Sequence, residues 1–392
     1  MKLNVVMLCD FFDPELGYQE SVLQKSFLSR GHSCSVICAP KMNIFDYYQG
    51  KKAPHAKTQS AGNIHRCDYL FRFRSLKLLR GIRSKLEELK PNLLFVHDIN
   101  LSLLVAMLYV RKNPECVLIC DNHCDESNSA KSFISKLVVY KLIKRCIVWI
   151  ASHMVKRFYG VTPSCIEFMT RMLGVPERKT QLLPLCVNSI DFGEGLSGEK
   201  IKELRLGFDI PSDHFVVFTG GKLNELKRTH VLIDAVNERA DVTLLICGAP
   251  ESVEYGNELR RLAAGNKSIK FLGWQNLENI YSYMMCSDVG IFPGSQSVMW
   301  QQAIGAGLPI LVGIGSHDGP NKTQDISYMC KYDAIRVLDE NTSFSEQINQ
   351  YISKLKDNPE VHMQSVKAAK ATANNVLAYD HYIKEMESWW TV

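Results

Sequence analysis

The chain reads as an α/β protein built from two doubly wound parallel sheets, and three observations predict it. Short buried-looking apolar runs recur along the sequence, most of them followed by a segment of helical period. A polar, glycine-bearing stretch without apolar period, residues 187–200, divides those runs into two sets of six. Strand ends in both halves run into glycine turns, as in open sheets that bind a ligand at the carboxyl ends of their strands. At 392 residues, with 46% apolar and 22% charged residues, the chain is long for one core and comfortable for two.

In order, the first set of strands is expected at Val5–Cys9, Cys34–Ala39, Leu93–His97, Val117–Asp121, Phe158–Val161 and Gln181–Leu185. The second is expected at Val216–Thr219, Thr243–Cys247, Ile269–Leu272, Val289–Phe292, Pro309–Val312 and Ala334–Val337. The boundary falls near Asn188 to Gly198, so residues 1–190 form a first domain and 191–375 a second. Residues 376–392 are apolar at helical spacing and end on Trp389-Trp390, which predicts a terminal helix.

Thirteen cysteines lie mostly inside apolar strands and helices, as reduced thiols of a cytosolic protein would. Cys34 with Cys38, and Cys120 with His123 and Cys124, do not repeat as paired CxxC sets, so no structural zinc is expected. The opening Met1-Lys2-Leu3-Asn4 runs directly into a strand with no secretory pattern, and no apolar run approaches the ~20 residues that span a bilayer. The sequons at Asn266, Asn321 and Asn341 then carry no weight.

Charge is divided unevenly. Residues 1–195 hold 27 Lys and Arg against 17 Asp and Glu, while the remainder holds 19 against 24. The basic excess concentrates in residues 71–90 and 131–158, where helical spacing gathers Lys136, Lys141, Lys144 and Arg145 beside aliphatic and aromatic positions. Two readings stay open: an anionic membrane surface as partner, or a core helix with a solvated basic face. No nucleic-acid motif accompanies the charge, and nucleic acid is not expected as a partner.

The most informative stretch is Phe215 to Pro309. It opens with VVFTGGKLNELKR and closes with SDVGIFPGSQSVMWQQAIGAGLP. A glycine turn that feeds a helix N-terminus lets backbone N–H groups approach an anion, and lysines on the turn supply countercharge. Gly220, Gly221, Lys222, Lys227 and Arg228 therefore suggest a diphosphate site, with Gly294, Ser295, Gln296 and Ser297 on a second such turn. Glycine after a strand is also ordinary turn punctuation.

Together the two pieces resemble family 4 glycosyltransferases. GGKLNELKR looks like that family's GRL-x-x-x-KG segment, with Lys222 at the arginine position and Lys227 at the lysine position, and Ser287–Pro309 looks like its later strand, Pro-Ser turn and helix. VVMLCDFFDPELGYQESVLQKSFLSRGHSCSVIC resembles the family's opening, so the likeness covers nearly the whole chain.

The resemblance implies a GT-B fold: two facing Rossmann-like domains, the first for the acceptor and the second for the donor, with the C-terminal helix crossing back to the first and the tryptophan pair as its anchor. It implies transfer of a sugar from a UDP- or GDP-linked donor to a hydroxyl of a glycan or lipid-linked acceptor, with retention. Lys222 and Lys227 would neutralise the diphosphate. Gly17 would approach the donor phosphate. His123 would sit near the reacting sugar, with Asp121, Asn122, Asp125 and Glu126 as nearby candidates and His97-Asp98 as a weaker case. Gly248 and Trp274 would meet the nucleotide, although an aromatic there is equally at home in a core.

The chain departs from the family at its paired glutamates. Gln302 stands at the second, able to hydrogen-bond without charge. The first has no counterpart because the interval from Pro293 to Gln302 is short, which leaves Ser295, Gln296 and Ser297 to meet the sugar. No Asp-x-Asp occurs, so a metal-independent reaction without cofactor is expected.

Bacterial surface-polysaccharide assembly, in the cytoplasm or at the inner membrane face, is the implied setting. The competing readings are a nucleotide-sugar epimerase of the same fold, and a subunit that holds a nucleotide sugar without turning it over. A dehydrogenase is disfavoured, because the turn from Asp10 to Gly17 has no G-x-G-x-x-G.

Overall fold

The computed structural model describes residues 2–43, 46–47, 51–56, 60–73, 75–126, 129, 132–133, 135–187, 196–314 and 325–390. The expected domain junction at 190/191, most of the expected linker and the sequon at Asn321 lie outside them.

The chain separates into two compact units, Met1–Pro184 with Tyr379–Val392, and Leu185–Ala378. The first unit holds a seven-stranded sheet. Its strands are β1 (Asn4–Cys9), β2 (Ser33–Cys38), β3 (Ile64–Arg66), β6 (Leu93–Val96), β7 (Val117–Asn122), β8 (Val155–Gly160) and β9 (Thr180–Leu182). They run β3-β2-β1-β6-β7-β8-β9, and every pair is parallel. Apart from the edge strands β3 and β9, the strands have mostly buried side chains, as strands covered by helices on both faces must.

The second unit repeats the plan with six parallel strands: β10 (Phe215–Gly220), β11 (Val242–Cys247), β12 (Ile269–Gly273), β13 (Val289–Phe292), β14 (Ile310–Val312) and β15 (Ile335–Val337). Their order is β12-β11-β10-β13-β14-β15. In both sheets the strand order reverses beside the first strand, at β1/β6 and at β10/β13. Such reversals open the crevice where ligands of doubly wound sheets bind.

All twelve expected strands are present. Three further strands are present: β3, and an antiparallel hairpin of β4 (Tyr69–Phe73) with β5 (Leu76–Leu79) whose sequence is conspicuous only for its basic charge. The terminal helix starts later than the expected Val376: Ala378 bridges to Val187 in extended pairing and the helix is Tyr379–Ser388. That helix belongs to the first unit, where it buries Tyr379, Ile383 and Met386. Glu387 receives Arg30 at 2.8 Å and His32 at 2.8 Å. Trp389 and Trp390 are half-buried, with the Lys156 ammonium over the Trp389 ring. The anchoring is therefore done by Tyr379, Ile383, Met386 and the Glu387 pairs more than by the tryptophans.

The basic run after β7 also differs from its expectation. Ser135–Lys144 is a π-helix that passes into an α-helix at Arg145–Ala151. Bonds from i to i+5 widen each turn and shift the phase of the faces. Lys144 consequently points inward, fully buried, with its ammonium 3.2 Å from Asp98, rather than joining Lys136, Lys141 and Arg145 outside.

Candidate functional site

In the second unit the crevice is lined largely by backbone. β10 ends on Gly220 and passes to Gly221 at φ +117°, and β11 ends beside Gly248 at φ +141°, both in the region that favours glycine. A Cβ on Gly248 would fall 1.9 Å from the Gly221 carbonyl oxygen, so the two turns lie in backbone contact. The third turn joins them: a Cβ on Gly294 would lie 2.1 Å from the Leu226 oxygen. Ser295 N–H donates to that same oxygen at 2.8 Å.

Lys227 closes this arrangement. Its Nζ donates to the carbonyls of Ser295 at 2.8 Å and Gln296 at 2.7 Å, leaving one of three ammonium protons for a ligand. Burial pushes its pKa down to about 8. The turn before it is held by Asn224, whose side chain accepts from Lys227 N–H at 3.2 Å. Ser297 caps the helix Val298–Gly305 by accepting from Met299 N–H, and its Oγ would lie 3.4 Å from a Cβ on Gly221. Gly220, Gly221, Gly248, Lys227 and Ser295–Ser297 thus gather at one strand-end shelf.

The remaining residues are placed less centrally. Lys222 reaches across the turn to Glu251 at 2.6 Å, an exposed pair. Arg228 pairs with Glu340 at 3.0 Å and lies over the Phe344 ring. Gln302 is buried within its helix, only 4% exposed. Trp274, just after β12, is half-exposed, and Gly273 O accepts from Gly248 N–H at 2.8 Å.

In the first unit the strand ends carry side-chain clusters instead. Asp121, the penultimate residue of β7, is wholly buried between two histidines: Oδ2 lies 2.8 Å from His97 Nδ1 and 3.4 Å from His123 Nε2. Burial opposes the carboxylate, but the histidines overcome it and hold Asp121 well below the usual carboxylate range. Burial likewise opposes charge on His123, yet the adjacent carboxylate lifts it to about 9, so the imidazolium persists at neutral pH.

Glu20, on the helix Gln19–Ser29 that follows Gly17, brings an oxygen within 4.8 Å of ligand atoms of both His97 and His123. A carboxylate and two imidazoles at that spacing could hold a cation, or share protons without one. Two further clusters escaped the sequence reading because their members are far apart in the chain. Asp10, after β1, accepts from Tyr47 at 2.5 Å, from Tyr69 at 2.6 Å, and from Lys77. Asp98, at φ +69° after β6, meets the buried Lys144. Only its strand-end position could have flagged Asp10.

The architecture is that of GT-B glycosyltransferases: two Rossmann-like parallel sheets with helices. The chain is similar over 99% of its length to 98% of a glycosyltransferase from Rickettsia africae, at 13% identity and TM-score 0.67. It is similar over its full length to the whole of Anabaena HepE, solved with UDP, at 16% identity and TM-score 0.69. Over 158 residues it is 24% identical to an uncharacterized glycosyltransferase of Methanocaldococcus jannaschii, covering 39% of this chain and only 40% of that protein. No family model matches the chain.

Proposed function

We propose that this protein is a glycosyltransferase related to family 4, which moves a sugar from a nucleotide-diphosphate donor to an acceptor hydroxyl. The observation that carries the reading is the glycine shelf of the second unit, with Lys227 half-buried against it and Lys222 on the same turn. Backbone N–H groups and a desolvated ammonium suit a diphosphate whose charge grows as the bond to the sugar breaks. UDP is the first nucleotide to test, because the HepE structures hold UDP and UDP-glucose. The first unit would receive the acceptor, with the His123 imidazolium hydrogen-bonding the sugar.

In this reading transfer proceeds with retention and without a metal. The bond from the acceptor oxygen to the anomeric carbon forms as the carbon–phosphate oxygen bond breaks, and the hydroxyl proton leaves with the phosphate. The acceptor is a glycan or a lipid-linked saccharide in bacterial surface-polysaccharide assembly, met at the inner face of the membrane. Among the described residues no helix is long and apolar enough to cross a membrane, so such contact would be peripheral.

Gln302 and the loop from Pro293 to Ser297, which has no carboxylate, favour a second reading, a subunit that holds a nucleotide sugar without turnover. Thermal shift against UDP, GDP, ADP, CMP and their sugar conjugates, with and without EDTA, tests donor binding. A rise with one nucleoside diphosphate that survives EDTA supports the donor site, and no shift at millimolar concentration sinks it. Product analysis with the responding sugar then separates transfer, epimerisation and binding alone.

A further inference from the structure

The two basic segments, about sixty residues apart in sequence, pack into one hydrophobic core. Val139 and Tyr140 of the π-helix are buried in the same cluster as Leu76 and Leu79 of β5. From the helical side, Leu137, Val138, Leu142, Trp149 and Ile150 are exposed, and Phe133 precedes them. Trp149 and Phe133 are each 80% exposed. From the hairpin, Leu70, Phe71 and Phe73 are exposed as well.

The charge on this surface has one sign. Lys136, Lys141 and Arg145 are exposed among the apolar side chains, and no Asp or Glu occurs between Glu126 and Glu167. Apolar side chains ringed by cations, with aromatic rings among them, match the headgroup boundary of an anionic bilayer. An apolar protein partner would not need the cations, and a second copy of the same face would set like charges against each other.

We infer that the face formed by Phe133, residues 135–150 and the strands β4 and β5 docks this protein on an anionic lipid surface. Lys144, buried on Asp98, ties the docking helix to the turn that follows His97, so the strand ends of the first unit are joined to the surface-bound element. For the acceptor this deepens the glycosyltransferase reading, on which it rests, by favouring a lipid-linked saccharide. The docking itself does not depend on it.

The test is co-sedimentation of the full chain with vesicles of phosphatidylglycerol in phosphatidylcholine, and of phosphatidylcholine alone, at low and high salt. The wild type should pellet with the anionic vesicles only, and release in high salt. Lys136→Glu with Lys141→Glu should lower partition by at least about fivefold per lysine, from ~1 kcal/mol per cation at the surface. Trp149→Ser with Leu142→Ser should lower it too, and both variants should keep the wild-type unfolding midpoint.

Equal pelleting with both lipids, or variants that bind as the wild type does, would overturn the proposal. A dimer in solution that Trp149→Ser dissolves would overturn it in favour of contact between copies. Failure of the donor reading would show separately, as no nucleotide shift in a protein that still pellets.

Discussion

The two units place chemistry at the same topological position by different means. In the second, β10 ends on Gly220 and β11 and β13 lead into Gly248 and Gly294, and the candidate site is a shelf of main chain held by one half-buried lysine. In the first, Asp10 follows β1, His97-Asp98 follow β6 and Asp121 is the penultimate residue of β7, and the candidate site is made of side chains that charge one another. A backbone shelf suits a ligand part common to many substrates, such as a diphosphate. A side-chain cluster can be retuned one residue at a time, which suits the part that varies.

The sharpest way to break the contrast is Gly248→Ala. Its methyl would have to occupy space 1.9 Å from the Gly221 oxygen at φ +141°, so a loss of about 3 kcal/mol and of the nucleotide shift is expected, read by thermal unfolding with and without UDP. A stable protein that still binds UDP would show that the shelf is not where the nucleotide sits.

Asp121→Asn should spare nucleotide binding, yet lower turnover about a hundredfold. Without the carboxylate the His123 pKa falls from about 9 toward the ordinary histidine value, so the alkaline limb of the rate profile moves to lower pH. An unmoved limb would mean that His123 is not the titrating group.

Nucleotide affinity should weaken above pH 8, by up to about tenfold per unit, because an anionic ligand prefers the charged form of Lys227 and that form is lost above about 8. Calorimetric titration of UDP across that range reads it, and Lys227→Met should be weaker throughout and lack the break. The smallest effect is Lys222→Ala. An exposed pair with Glu251 contributes at most ~1 kcal/mol, so the unfolding midpoint should stay in place while UDP binding weakens about fivefold.

What the sequence disclosed follows the same division. The strands and the glycine shelf were legible because both are local: an apolar run, a glycine, a lysine a few residues on. Asp10–Lys77 and Asp98–Lys144 were not, because their partners stand 67 and 46 residues apart and no short pattern joins them. Lys144 was assigned to the outside by α-helical spacing, and the π-helix turned it in. The β4–β5 hairpin was hidden by its charges, since Arg72 and Lys77 interrupt the apolar alternation that marks a strand.

Of the thirteen thiols, Cys146 is the exposed one; nine are buried, and the other three are partly so. Burial raises Cys67, Cys124 and Cys330 and disfavours their thiolates, the form that reacts with alkylating dyes. Cys146 lies in the same helix as Trp149, on the face turned to solvent. An environment-sensitive fluorophore should therefore couple there first in the native protein, giving a ready-made reporter of whatever that face touches.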